Sequence, residues 1–244
     1  MNGTLTDVAG IAVGHATDLE AITGCTAILC EGGAVGGVDA RGTATGIFGL
    51  DHLSPLHLVP KVHGILLAGG SAFGLMAAGG MMRYLEERGI GFDVRVARVP
   101  VVAAAILFDL SIGDARRRPD AAMAYEACRQ ASRDPVPEGS VGAGTGATVG
   151  KAHGLDLAMK GGLGSASLAL PGGVVVAALA AVNALGDIRD PATGRLVAGT
   201  RTPEDPRALA DSARLLREGT GRRNPWPGNK IGRASCRERV CQYV

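Results

Sequence analysis

The alternation of apolar and polar positions predicts a chain of short buried strands with a few helices between them. The longest apolar run, residues 174–182, follows Gly172 and Gly173 and ends at an amide side chain, Asn183. A Val-rich run bounded by turn residues is typical of a buried strand. Its middle is rich in Ala, which leaves a short helix as the alternative.

The same pattern predicts further elements along the chain. Strands are expected at 25–30 and 35–40, at 63–71 and at 160–170, the last forming a hairpin with the run 174–182 through Pro171, Gly172 and Gly173, and residues 99–110 form a further apolar segment. Apolar residues at helical spacing predict helices at 72–88, 120–131 and 206–218. The Gly79-Gly80 pair weakens the first helix and favours close approach to a sheet or to another helix.

Asn183 is the first candidate for an active-site residue. An amide at the end of an apolar run needs hydrogen-bond partners, because burying it unpaired costs a few kcal/mol. It either bonds neighbouring backbone and shapes the turn at Gly186 and Asp187, or directs its N–H into a site that holds an oxyanion. The sequence leaves both roles open.

Composition suits a globular protein with one large domain or two small ones. Of 244 residues 46% are apolar and 20% charged, with 38 Gly and 3% aromatic residues, which favours closely packed layers joined by tight turns. No apolar run is long enough to span a membrane, and the first residues do not resemble a signal peptide. We therefore expect a cytoplasmic protein without a membrane partner.

The charge distribution and the cysteine spacing exclude further classes of protein and of binding site. Residues 230–244 hold one Lys, three Arg and one Glu, so without them the net charge changes from +2 to −1, and no basic stripe predicts nucleic-acid binding. Cys25, Cys30 and Cys128 have no metal-site or disulfide spacing and are expected to be buried free thiols. His52 and His57 have no metal-type partner pattern, and no metal is expected.

Two glycine-rich segments invite motif comparisons that fail. The run 139–151 lacks the Gly and the Ser or Thr that a phosphate-binding loop requires around its Lys. It also follows a Pro-rich loop, whereas a dinucleotide-binding fingerprint follows a strand. No cofactor is therefore expected. It can still bring backbone close to a ligand, with Lys151 at its end as a site residue or a solvated turn residue.

The second segment, 69–73, has Phe73 where a nucleophile elbow needs Gly. The favoured role of Gly69 to Ser71, which include Gly70, is a close-packed strand-to-helix turn whose backbone N–H groups line a cleft. A serine hydrolase using Ser71, Asp109 and His153 remains an alternative.

Six stretches together resemble one family, the DmpA-like self-processing aminopeptidases, which include L-aminopeptidase/D-esterases, beta-peptidyl aminopeptidases and nylon-oligomer hydrolases. They extend from Thr6 to about Arg201 and are residues 6–15, 37–42, 67–75, 142–151, 159–164 and 181–187. The resemblance implies an α/β (α+β) fold, a four-layer αββα sandwich similar to that of N-terminal-nucleophile hydrolases.

The resemblance also implies a mechanism. A precursor of this kind cuts itself before a Ser or Thr, which becomes the nucleophile with its own α-amine as base. Asn183 matches the oxyanion-holding amide, Lys151 an active-site lysine, and Gly70, Ser71 and Phe73 a substrate-binding segment in which Phe73 replaces a Tyr. The expected partners are a short peptide or amino-acid amide substrate, a C-terminal small subunit, and further copies in a homotetramer or larger assembly.

The end of the chain departs from the family pattern. The family continues after Asn229, the expected self-cleavage site, with a hydroxyl residue and an apolar strand, whereas this chain continues with Lys230 and a basic segment. We interpret 1–229 as the large-subunit part of the peptidase domain and 230–244 as a non-native tail, the translation of a sequencing adapter. The sandwich would then be incomplete, the run 174–182 would present an unpaired edge, and the chain would be inactive. A non-catalytic binding or assembly protein on the same fold is the alternative from another functional class.

Overall fold

In the described residues, a five-stranded sheet, a three-stranded sheet and a helical layer make up the architecture, with three further two-stranded sheets. The computed structural model describes residues 1–42 and 45–220, and the backbone of one further strand at 239–243. The strands are β1 (Ala12–Asp18), β2 (Thr23–Val35), β3 (Ile47–Phe48), β4 (Lys61–Ala68), β5 (Phe92–Asp93), β6 (Arg98–Val99), β7 (Val102–Ile106), β8 (Thr148–Val149), β9 (Met159–Lys160), β10 (Gly162–Ala169), β11 (Val175–Val182), β12 (Ile188–Arg189), β13 (Leu196–Ala198) and β14 (Arg239–Tyr243).

Within the described residues, three α-helices and five 3₁₀ turns join the strands. The helices are α1 (Ala78–Glu86), α2 (Ala121–Arg129) and α3 (Ser212–Glu218), and the 3₁₀ turns are Leu5–Asp7, Asp51–Leu53, Ser71–Ala77, Gly142–Gly144 and Leu155–Leu157. No helix in the described ranges is long and apolar enough to cross a membrane.

The larger sheet is buried on both faces. Its strand order is β1-β2-β4-β7-β3, with β4 and β7 parallel and the other pairs antiparallel. Alternate residues of β2 point to opposite sides: Ala27 and Leu29 pack with the helices, and Ile28 and Cys30 pack with the second sheet. This double burial explains why the first eight residues of β2 are all buried and why their sequence shows no polar alternation.

The second sheet has the strand order β10-β11-β14. Leu163 of β10 and Leu179 of β11 belong to the core between the sheets. Helices α1 and α2 cover the opposite face of the larger sheet, so the described residues form layers of helix, sheet and sheet. The mixed sheets and helices confirm the α/β class. The strand prediction for 174–182 is confirmed, and the helix alternative is wrong.

Two glycines set the spacing of the helical layer. A Cβ on Gly14 of β1 would lie 2.1 Å from the carbonyl oxygen of Ala127 in α2, and a Cβ on Gly80 of α1 would lie 1.8 Å from that of Ala121. Because no side chain fits at either distance, these glycines allow α2 to contact both the sheet and α1. Of the Gly79-Gly80 pair, predicted to permit close approach to a sheet or to another helix, Gly80 does so against α2, whereas an added Cβ on Gly79 meets nothing within 4 Å.

Several predicted boundaries change. Segments 25–30 and 35–40 do not form two strands, because β2 continues through its glycines as far as Val35. The predicted helix 72–88 begins as the 3₁₀ turn Ser71–Ala77, and α3 begins at Ser212, after its N-cap Asp211, rather than at residue 206. The expected open edge of β11 is also wrong, because residues 178–182 pair with β14.

The thiols behave as predicted. Cys25, Cys30 and Cys128 are buried and free. Burial raises the pKa of Cys30 to about 11 and that of Cys128 to about 12. A thiolate is therefore strongly disfavoured at both positions.

Candidate active site

Asn183 immediately follows β11 and is 4% exposed. Its Oδ1 accepts hydrogen bonds from the backbone N–H of Thr148 at 3.1 Å and from Lys151 Nζ at 2.7 Å, and its Nδ2 donates to the Phe108 carbonyl at 2.9 Å. Because an ammonium group can only donate, these partners fix which end of the amide is oxygen. The nitrogen end faces Phe108.

These contacts bear on the two roles open for Asn183. Its partners lie 35, 32 and 75 residues away in the sequence, so it does not simply shape its own turn. An amide nitrogen carries two N–H groups. One is bonded to Phe108, and the other finds no acceptor among residues 1–42 and 45–220. That second donor is what an oxyanion site requires.

Lys151 is held at three points. Its Nζ donates to the Thr148 carbonyl at 2.9 Å, to Asn183 Oδ1 at 2.7 Å and to the Ala184 carbonyl at 3.2 Å. The side chain is half-buried, so the solvated turn residue is ruled out. Lys151 and Asn183, both proposed from the sequence, form one hydrogen-bonded pair.

A framework behind the pair keeps it in place. The N–H groups of Gly150 and Lys151 donate to the carbonyls of Gly186 and Leu185, both at 2.8 Å. Asp187 in turn accepts from Thr200 N at 2.9 Å and from Ser212 N at 2.6 Å. The loops on either side of Lys151 and Asn183 are thereby tied to the start of α3.

The glycine-rich run 142–150 packs against protein rather than surrounding a phosphate. All of its residues are buried. A Cβ on Gly144 would lie 2.4 Å from Leu163 N, and a Cβ on Gly150 would lie 1.9 Å from the carbonyl carbon of Gly199. The glycines therefore permit close backbone packing, which agrees with the rejection of nucleotide-binding motifs.

The Gly70–Phe73 segment lies at the end of β4. Gly70 N donates to Asp109 Oδ1 at 2.6 Å and Ser71 N donates to the Leu107 carbonyl at 2.9 Å, so neither N–H group lines a cleft as expected. Phe73 is 54% exposed, and the Arg118 guanidinium lies 3.7 Å from its ring centroid. Ser71 has a φ of 55°, an uncommon left-handed conformation for a residue with a side chain.

The described residues do not have the geometry that the serine-hydrolase alternative requires. Asp109 is buried, and its two oxygens accept from Gly70 N and, at 2.7 Å, from Thr23 Oγ1. The residues described here contain no hydrogen bond that joins Ser71 to His153 or His153 to Asp109. A triad requires both bonds, so Ser71 is not an activated nucleophile in this arrangement.

Sequence reasoning missed Thr148 and Phe108, which supply backbone partners to Lys151 and Asn183. Thr148 lies inside the singled-out glycine-rich run, three residues before Lys151, but its role uses main-chain atoms that any residue would offer. Asn229 and Lys230, the expected cleavage point, lie outside the described residues.

The model of one protein family, Peptidase family S58, matches residues 3–213. The chain belongs to peptidase family S58. An uncharacterized aminopeptidase of Mycobacterium bovis is 46% identical over 201 residues, which make up 78% of this chain and 56% of that protein. A 6-aminohexanoate-oligomer endohydrolase of Kocuria sp. is 35% identical over 188 residues, 77% of this chain and 50% of that protein. The chain thus spans about half the length of these S58 relatives.

Solved structures show the same fold. The l-aminopeptidase d-ala-esterase/amidase of Ochrobactrum anthropi, described as a new variant of the Ntn hydrolase fold, is similar with a TM-score of 0.62 over 75% of this chain and 53% of that one. At 22% identity this likeness concerns the fold. It confirms the expected fold, similar in architecture to that of N-terminal-nucleophile hydrolases, and the S58 match confirms the family resemblance found in the sequence.

Proposed function

We propose that residues 1–229 are the large-subunit part of a self-cleaving aminopeptidase or amidase that hydrolyses N-terminal amino-acid amides, short peptides or related esters. The observation that carries the proposal is the Lys151–Asn183 pair, inside the region matched by family S58, in which one buried amide N–H has no acceptor among the described residues. The names of the relatives, an aminopeptidase and an amide-oligomer hydrolase, agree with this reaction class.

The nucleophile in this proposal is a Ser or Thr that follows Asn229 in the parent protein. Its hydroxyl attacks the Asn229 carbonyl, the peptide bond to its nitrogen breaks in an N-to-O acyl shift, and water hydrolyses the ester. The freed α-amine then serves as the base for substrate turnover. In the present sequence Lys230 occupies that position and has no hydroxyl for the shift.

During turnover the hydroxyl attacks the substrate carbonyl while the α-amine takes its proton. Negative charge develops on the carbonyl oxygen, and the second N–H of Asn183 Nδ2 stabilises it. Lys151 acts through Asn183, because its hydrogen bond to Oδ1 holds the nitrogen end of the amide in a fixed direction. The leaving amine departs with the proton, and water then hydrolyses the acyl-enzyme.

Substrate binding is assigned to the Gly70–Phe73 segment. Because the N–H groups of Gly70 and Ser71 have internal acceptors, contact is proposed through the Ser71 hydroxyl and the exposed ring of Phe73. The small subunit and a homotetramer or larger assembly belong to the same proposal and rest on the family resemblance.

The native gene beyond codon 229 provides the test. We expect a Ser or Thr codon there, a protein that cuts itself after Asn229 as seen by intact mass, and hydrolysis of amino-acid p-nitroanilides. The 244-residue chain should stay uncut and inactive. A native continuation without a hydroxyl residue would favour a binding or assembly protein, and loss of activity on Ser71→Ala would favour the serine-hydrolase mechanism.

A further inference from the structure

A histidine-containing loop between β3 and β4 lies away from the candidate active site. Its 3₁₀ turn, Asp51–Leu53, follows Gly49, where an added Cβ would lie 2.7 Å from the Val102 carbonyl. The loop therefore packs at the start of β7, whereas Phe108, the partner of Asn183, lies just beyond the end of that strand. Six residues of extended chain separate these points by about 20 Å.

Three metal-ligand side chains meet in this loop. Ligand atoms of Asp51, His52 and His57 all lie within 4.8 Å of one another. Leu53, between the two histidines, is 5% exposed and fixes the turn to the core. The backbone N–H of His57 donates to the Ser54 carbonyl at 3.0 Å, which closes the loop and brings the second histidine back to the first.

The spacing of these groups fits a shared cation better than direct contact. His52 Nε2 and Asp51 Oδ2 are 3.9 Å apart, too far for a hydrogen bond. Two ligand atoms on one tetrahedral Zn²⁺ are separated by about 3.4 Å, given metal–ligand bonds of about 2.0–2.1 Å. The rings of His52 and His57 have centroids 5.0 Å apart at 64°, and the same geometry places two metal-bound imidazoles about 5 Å apart.

His57 already has the support that a metal-bound histidine needs. Its Nδ1 lies 3.2 Å from the Val59 carbonyl oxygen, to which it donates when protonated, and 3.2 Å from the Val59 backbone N–H, which donates to Nδ1 in the other tautomer. When Nδ1 carries the proton and donates to that carbonyl, the lone pair is on Nε2, the usual arrangement of a metal-bound histidine. His52 Nδ1 is buried without such a partner in the described part of the chain, so we expect weaker binding than in a closed four-ligand site.

We propose that Asp51, His52 and His57 bind one divalent transition-metal cation of the Zn²⁺ class. Two imidazoles and a carboxylate suit such an ion, and the exposed Asp51 leaves room for water as a further ligand. The expectation from the sequence that no metal binds came from the lack of a metal-type partner pattern: His52 and His57 have the spacing of a zinc-site histidine pair, but no cysteine pair accompanies them. The bound ion closes the loop and stabilises the folded protein by mass action.

Metal titration of the full 244-residue chain tests this proposal. Cys236 and Cys241 are replaced by Ser throughout, so that their thiols do not contribute ligands. Co²⁺ serves as the spectroscopic probe and Zn²⁺ as the competitor. His52→Ala, His57→Ala and Asp51→Asn each remove one ligand, and His153→Ala is the matched control for loss of a histidine outside the cluster. Melting curves without metal show whether each variant folds, and His57→Gln replaces any that does not.

We expect one ion per chain, a dissociation constant below about 100 μM, and a metal-dependent rise in melting temperature. Removing either histidine should weaken binding at least about tenfold, since loss of even an outer-shell partner costs that much. His153→Ala should bind normally. Weaker binding in the parent, or equal binding after loss of both His52 and His57, would overturn the proposal. Neither result depends on hydrolytic activity, so this test is separate from that of the proposed function.

Discussion

The Lys151 ammonium group donates a hydrogen bond to the side-chain carbonyl of Asn183 across 2.7 Å. Asn183 follows β11, and Lys151 follows β8 after a tight turn at Gly150. The bond polarises the amide and fixes its direction, so that its nitrogen end faces the Phe108 carbonyl. The two side chains therefore form one unit, and changes at either position should affect the same step.

Asn183→Ala should reduce turnover of the restored enzyme by about two to three orders of magnitude, because it removes one oxyanion donor. The rate is measured on an amino-acid p-nitroanilide after intact mass has shown that self-cleavage still occurs. Thr148→Val is the matched control. It keeps the backbone N–H that donates to Asn183 and removes only a side-chain bond of 3.3 Å. A loss below about threefold in Asn183→Ala would assign Asn183 a structural role.

Lys151→Met should lower kcat, up to about a hundredfold, with a smaller change in KM, because the amide of Asn183 loses the bond that orients it. It should also slow self-cleavage. Lys160→Met is the control: it removes a nearby ammonium that donates to the Thr145 carbonyl and not to Asn183. Normal rates of both self-cleavage and turnover in Lys151→Met would contradict the role.

Neighbouring glycines of α1 should respond in opposite ways to the same change. Gly80→Ala should destabilise the protein by about 1–3 kcal/mol, since its Cβ would lie 1.8 Å from the Ala121 carbonyl oxygen. At Gly79 an added Cβ meets nothing within 4 Å, so Gly79→Ala should stabilise the helix by about 0.5–1 kcal/mol. Urea unfolding measures both. Equal effects would mean that α1 and α2 do not pack as described.

His15 should make stability depend on pH. Its Nδ1 lies 3.0 Å from Thr26 Oγ1, its Nε2 is buried without a partner in the described part of the chain, and burial lowers its pKa to about 4. In the unfolded chain His15 takes up a proton near pH 6.5, whereas in the folded chain it does so only near pH 4. The free energy of unfolding should therefore be highest above pH 6.5 and fall as the pH drops towards 4.

The expected loss from this group between pH 7 and 4.5 is about 2 kcal/mol, after a discount for partial exposure. His15→Gln should lose that much less stability over the same interval in urea unfolding at both pH values. The difference between the two proteins isolates His15 from other titrating groups. Parallel pH profiles would show that His15 is protonated as easily in the folded state as in the unfolded one.

The sequence determined the local elements that depend on short-range patterns. The glycines before residue 174 and the apolar run after them specify the β10–β11 hairpin, and Asp120 caps α2 by accepting from Met123 N at 2.9 Å. The apolar run and the glycine-rich run singled out Asn183 and Lys151, and the family resemblance, carried by motifs between Thr6 and about Arg201, implied the fold. Such features need only neighbours along the chain, or motifs visible in it.

The tertiary structure decided what depends on pairing between distant segments. Thirty-two residues separate Lys151 from Asn183, and strand packing together with the bonds of the Gly150 and Lys151 N–H groups to the carbonyls of Gly186 and Leu185 brings them together. The parallel pairing of β4 with β7 likewise joins segments that lie far apart in the sequence. The Asp51–His52–His57 cluster also depends on a fold-level feature, because Leu53 must be anchored in the core before the loop can bring its two histidines together. Local propensity does not encode such distances, since they are set by where buried residues find partners across the whole fold.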